Sequence, residues 1–164
     1  MQKLIIFTIL CLNSAIGLCQ KDSIKSRIFE NFKLYPSVGI SYQKQLVGEV
    51  GVIYAYSQLF SHCQTNILYG IKLASEFNFD SNHFYMAPKI GIQTDYLLLS
   101  ARLNLIDYTN STYHDLKLTP EIGLSITNII NIYYGYNIPL TPNKINDIGT
   151  HRVTFNFNFG IWSY

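Results

Sequence analysis

From Lys117 to Ile161, large apolar residues recur at every second position. Leu118, Ile122, Leu124 and Ile126 make one run. Ile130, Ile132, Tyr134, Tyr136 and Ile138 make a second, and Val153, Phe155, Phe157, Phe159 and Ile161 a third. The positions between them hold Thr119, Glu121, Gly123 and Ser125, then Asn131, Tyr133, Gly135 and Asn137, then Arg152, Thr154, Asn156, Asn158 and Gly160. A period of two cannot present one apolar face on a helix. It belongs to strands with one face in an apolar medium.

The same alternation occurs five more times upstream, at about 36–44, 48–58, 64–78, 83–93 and 95–107, which makes eight strands. Away from the strand ends, one face of all eight carries no charge. The strand charges Glu49, Lys72, Glu76, Lys89, Arg102, Lys117, Glu121 and Arg152 all fall on the other face. A charge facing hydrocarbon near the bilayer midplane costs roughly 2–4 kcal/mol, and that penalty sorts residues in this way.

Parity alone does not say which face points inward, because a lipocalin is also an eight-stranded barrel with apolar residues inside. Side-chain volume decides. The charge-free face is nearly all Ile, Leu, Val, Phe and Tyr, too bulky for a narrow eight-stranded lumen, whereas the other face is rich in Gly, Ala, Ser and Asn. Charged residues make up only 13% of the chain, against about 25% in soluble domains. The expected fold is therefore an all-β, eight-stranded antiparallel up-and-down transmembrane β-barrel, apolar outside and polar within. A formal charge of +2 gives no reason to expect a nucleic-acid partner.

The first residues read as a cleavable signal peptide: Lys3, an apolar run from Leu4 to Leu12, then small residues Gly17 and Cys19. The expected organisation is a leader over 1–19, a periplasmic segment over 20–35 and the barrel over 36–164. Within 20–35, Ile24, Ile28, Phe29 and Phe32 have helical spacing, so a short helix and a frayed tail stand as alternatives. Cys19 has a second reading as a lipidation site. Cys63 stands alone in the mature chain and forms no internal disulfide.

Connections are expected to alternate in length. Gln93-Thr94 and Thr127-Asn128 read as tight turns and Asp107 to Asp115 and Leu140 to Gly149 as long polar loops, while the link Gln58 to Cys63 is longer than that pattern predicts. Tyr108 to His114 and Pro142 to Ile148 are expected at the surface. Pro36, Pro88 and Pro120 each open a Pro-x-(Val/Ile)-Gly-(Ile/Leu) repeat. Pro88 and Pro120 are expected to mark bulges, and Tyr85, Tyr96 or Tyr133 to cover an inward glycine.

Pro120 to Ser125, Tyr134 to Leu140 and His151 to Asn158, together with the order of strands, resemble small outer-membrane β-barrel proteins of Bacteroidetes. The terminal Tyr164 is similar to the aromatic that the barrel-assembly machinery reads. The resemblance implies outer-membrane lipid and that machinery as partners and carries no established activity.

No catalytic, cofactor or metal site is expected. His62, His83, His114 and His151 lie at strand ends or in loops without metal-ligand spacing. The inward charges Glu49, Lys72, Glu76, Lys89, Arg102, Glu121 and Arg152 are expected to form a lumen ion-pair network, with Lys89, Arg102 and Glu121 satisfying one another. The functional expectation is a monomer in the outer membrane with a structural or surface-recognition role, meeting an unknown extracellular ligand through its outer loops. A narrow pore is the second reading and a lipid-modifying enzyme the third. Ile53, Leu68 and Leu98 are the apolar residues expected inside.

Overall fold

The structure, a computed structural model, describes residues 32–59, 66–78, 84–110, 113–142 and 148–159. Nine strand segments follow one another: β1 (Phe32–Gln43), β2 (Gln45–Leu59), β3 (Asn66–Asn78), β4 (Met86–Tyr96), β5 (Leu99–Asn110), β6 (Tyr113–Ile126), β7 (Ile130–Tyr136), β8 (Ile138–Pro139) and β9 (His151–Asn158). No helix occurs among the described residues. From β1 to β7 each strand pairs antiparallel with the next, β7 pairs with β9, and β9 pairs with β1. β7 and β8 both pair with β6 in one register, so they are one strand interrupted at Asn137. The result is a closed eight-stranded barrel.

The stagger can be read from the ladder. From Phe32, successive partners are Tyr56, Tyr69, Thr94, Ala101, Ile122, Tyr134 and Val153, and the path returns to β1 at Tyr42, ten residues beyond its start. With a rise of about 3.3 Å per residue and strands about 4.8 Å apart, that shear tilts the strands by about 40° and sets a radius of about 8 Å. Such a bore is filled by side chains.

Volume selects the face that turns inward. Ser37, Asn104, Thr119, Thr154 and Asn156 are buried in the bore with charged residues such as Glu49, Lys72 and Arg152, while Ile40, Val50, Ile71, Ile92, Ile122 and Phe155 stand exposed on the outer wall. The start of β1 at Phe32 and the end of β9 at Asn158 lie at one end of the barrel, with the turns at 97–98 and 127–129.

Several boundaries differ from those expected. β1 begins at Phe32, not Pro36, so the barrel takes in the last residues assigned to the periplasmic segment. Gln93 and Thr94 lie inside β4, and the turn is Leu97-Leu98. Leu97 there has φ 57°, a left-handed conformation that a bulky residue seldom adopts. Leu98 is therefore 63% exposed in the turn rather than inward, whereas Ile53 and Leu68 are buried. The Thr127-Asn128 turn is present, both residues having positive φ as a type I′ turn requires.

Residues 107–110 and 113–115 of the polar stretch are strand rather than loop, since β5 runs to Asn110 and β6 starts at Tyr113. Tyr108 consequently points into the bore and is fully buried, and Ile148 is also buried. The prolines make gaps, not bulges. β4 and β5 keep one register on either side of Ala87 and Pro88, which are unpaired on that edge. Pro120 pairs with Leu103, and its missing N–H falls where the β6–β7 ladder stops. The leader, the 22–31 segment, Cys63, His62, His83, residues 143–147 and Tyr164 lie outside the described residues.

Candidate functional site: a chain of alternating charges in the lumen

The lumen has three storeys. At the end where β1 begins, Tyr35, Ile53, Ala55, Leu68 and Ile129 form an apolar cluster. At the opposite end, Val47, Tyr85, Ala87, Ile106, Tyr108 and Ile148 form another. Between them lie Glu49, Lys72, Glu76, Lys89, Arg102, Glu121 and Arg152, none more than 4% exposed.

These seven groups make one continuous chain in which the sign alternates. Lys72 Nζ contacts Glu49 Oε1. Glu49 Oε2 accepts from Lys89 Nζ at 2.6 Å, and the same nitrogen lies 3.0 Å from Glu76 Oε1. Glu76 Oε1 accepts from Arg152 Nη2 at 2.7 Å, and Arg152 Nε stands 3.2 Å from Glu121 Oε1. Glu121 Oε2 closes the series, accepting from Arg102 Nε at 2.8 Å with Nη2 at 2.7 Å. Both ends of the chain are cations.

Strand register explains the order. Arg102 and Glu121 are direct cross-strand partners on β5 and β6. Lys89 differs from expectation: it turns to Glu49 and Glu76, and the second cation on Glu121 is Arg152. β3 stands between β2 and β4, so Glu76 lies near Lys89 on its own side of the bore.

Neutral side chains complete the coordination. Asn104 Nδ2 and Thr154 Oγ1 donate to Glu121 at 2.9 and 3.2 Å, and Asn156 Oδ1 accepts from Lys72 at 3.2 Å. Tyr108 donates to Glu76 Oε2 at 3.0 Å, and Arg152 Nη2 donates to Ser41 at 2.9 Å. The Arg102 guanidinium lies 3.6 Å over the ring of Tyr133. That ring covers Gly123, its cross-strand neighbour, where a Cβ would stand 2.8 Å from Tyr133 Cδ1. Of the three tyrosines expected to cover a glycine, only Tyr133 does so. Tyr85 instead meets Tyr108 edge-on, and Tyr96 pairs with Ile67 and Leu99.

Sequence reasoning missed Asp95 and Tyr108. Asp95 is fully buried and accepts from Ser100, Gln93 and Ser125. A fifth strand beginning at 95 sets it in phase with the outward Leu97 and Leu99. Placing it at the end of β4 turns it inward. Continuing the parity of β5 past Asp107 would have found Tyr108.

Two histidine contacts lie on the outer wall at the end opposite Phe32. Tyr134 Oη and His151 Nδ1 are 2.6 Å apart. Thr109 Oγ1 and Asp107 Oδ2 both approach His114 Nδ1, at 3.1 and 3.2 Å. A nucleophile–base–acid relay needs its two partners on opposite ring nitrogens; here they share one. Among the described residues no three His, Cys, Asp or Glu side chains are grouped to hold a metal.

No family model, no curated protein and no solved structure matches the chain. The geometry of the barrel alone carries the functional reading.

Proposed function

We propose that this protein is an outer-membrane β-barrel, closed to solutes, with a structural or surface-recognition role exercised through the end opposite Phe32. One observation carries the reading. Phe32 and Tyr42 both stand on the outward face of β1, ten residues apart. At a tilt of about 40° that separation spans about 25 Å along the axis, the height of the apolar band on membrane barrels. Phe32 heads an aromatic cluster with Tyr54, Tyr56 and Tyr69 at one edge. Tyr136 and His151 accompany the level of Tyr42 at the other. Between those levels the outer wall is chiefly Ile, Leu and Val. Interfacial aromatics flanking an aliphatic belt are what a bilayer selects.

The filled bore supports a plug over a pore. Every charge in the central storey has an opposite partner, and an apolar cluster packs into the bore toward each end. The outer connections are shorter than loop-based recognition would suggest: Lys44 alone joins β1 to β2, and residues 111–112 join β5 to β6. Recognition would then rest on residues 79–85 and 140–150.

Fractionation should recover the mature protein with the outer membrane, and the folded form should migrate differently from the boiled form in a detergent gel. Planar bilayers containing it should show no steady conductance. An ohmic channel would favour the pore reading, and recovery as a soluble periplasmic protein would return the barrel to the lipocalin type.

A further inference from the structure

The geometry points to a binding site for one phospholipid acyl chain on the outer wall of β3 to β6. This inference rests on the membrane reading above and goes beyond it by naming a lipid and its place.

The outer face of this wall is not uniformly bulky. Thr94 and Ala101 are direct partners on β4 and β5, and both are small. Around them Tyr69, Ile71, Ile92 and Leu103 rise on either side, leaving a recess of about 720 Å³. A second recess of about 290 Å³ shares Ile71, Ile92 and Leu103 and extends it past Ile90 and Leu105, away from the Phe32 end. The furrow therefore runs along the barrel axis inside the 25 Å belt, continuous with the rest of the lipid-facing surface. Only hydrocarbon reaches that depth in a bilayer.

At its other end the furrow stops at Phe32, Tyr54 and Tyr69, whose rings pack against one another. This is the edge of the belt, where tyrosine keeps its ring in hydrocarbon and its hydroxyl among headgroups. The Tyr54 and Tyr69 hydroxyls are suited to donate to ester or phosphate oxygens of a lipid whose chain lies in the furrow. Under the membrane reading this end faces the periplasm, so the lipid within reach is inner-leaflet phospholipid.

The test begins with protein extracted from outer membranes in a mild non-ionic detergent and washed. Native mass spectrometry counts the lipid retained by the intact barrel, and solvent extraction identifies it. Wild type should keep one phospholipid. Ala101→Leu, alone and with Thr94→Leu, fills the furrow and should abolish retention while the folded form still shifts on heating. Val153→Leu on the opposite wall should leave it unchanged. No phospholipid on wild type, or equal retention by the filled variants, overturns the site while leaving the membrane reading intact. A dimer dissociated by Ala101→Leu overturns it in favour of a second copy. Recovery of the protein in the soluble fraction overturns both readings.

Discussion

Glu49 and Glu76 stand opposite each other on β2 and β3, and Lys89 Nζ lies 2.6 Å from the first and 3.0 Å from the second. Like charges directly across a ladder repel. Here the Lys89 ammonium bridges the two, while Lys72 holds Glu49 and Arg152 holds Glu76 from the far sides. Lys89→Met should leave two buried carboxylates facing each other and cost about 3–5 kcal/mol, as removing one member of a buried pair does. Adding Glu49→Gln to it should recover part of the loss. Denaturant titration in detergent or lipid reads both, and a silent Lys89→Met would mean that water reaches the central storey.

Arg102 and Glu121 form the clearest single pair, joined through two guanidinium nitrogens. The double change Arg102→Gln with Glu121→Gln should lose less stability than the two single changes added together. A coupling of about 0.5–3 kcal/mol is expected for residues in such contact. Strict additivity in the same titration would show that the side chains do not meet.

Gly123 has no space for a side chain. A Cβ there would press on the carbonyl oxygen of Ile132 and on Tyr133, which in turn lies over Arg102. Gly123→Ala should cost about 1–3 kcal/mol through overpacking. Tyr133→Leu should partly relieve the clash, so the double variant should be more stable than additivity predicts. Urea midpoints of the four proteins provide the check.

On the outer wall the rule changes from partner to solvent. Ile122 is 66% exposed on that wall next to the buried Glu121. Ile122→Arg should cost about 2–4 kcal/mol in a bilayer, whereas Leu124→Ile should be nearly silent. The comparison should be made in lipid vesicles. If the arginine variant matches wild type there, Ile122 does not face hydrocarbon.

Alternation was legible because each face has its own demand: the inward face is crowded and takes small and polar residues, and the outward face carries the bulky apolar ones. Glu121 and Arg102 could be placed inward from parity together with side-chain volume. The partner of Lys89 could not, because that depends on how far β2, β3 and β4 are staggered, and stagger leaves no trace in period two. Turn positions failed where polarity misled. Gln93 and Thr94 look like a turn but are strand residues, Gln93 being buried and Thr94 sitting in the recess, while the real turn, Leu97-Leu98, has no turn-forming residue. The polar run 107–115 looks like a loop because the strands continue beyond the apolar belt, where polar outward residues such as Asp107 and Thr109 carry no penalty.

The return of the ladder from Phe32 to Tyr42 limits how such a wall can be edited. One residue added to a strand would exchange its two faces beyond that point, driving carboxylates onto the apolar outer wall and isoleucines into a bore already full. Only steps of two preserve the faces, and each such step changes the circumference. A shear of twelve in place of ten would widen the radius by about 0.7 Å. That is enough to separate Lys89 from one of its two carboxylates. Length variation among barrels with this interior should therefore collect beyond the ends of the strands, at 60–65, 79–85 and 140–150, and the strands themselves should vary by substitution.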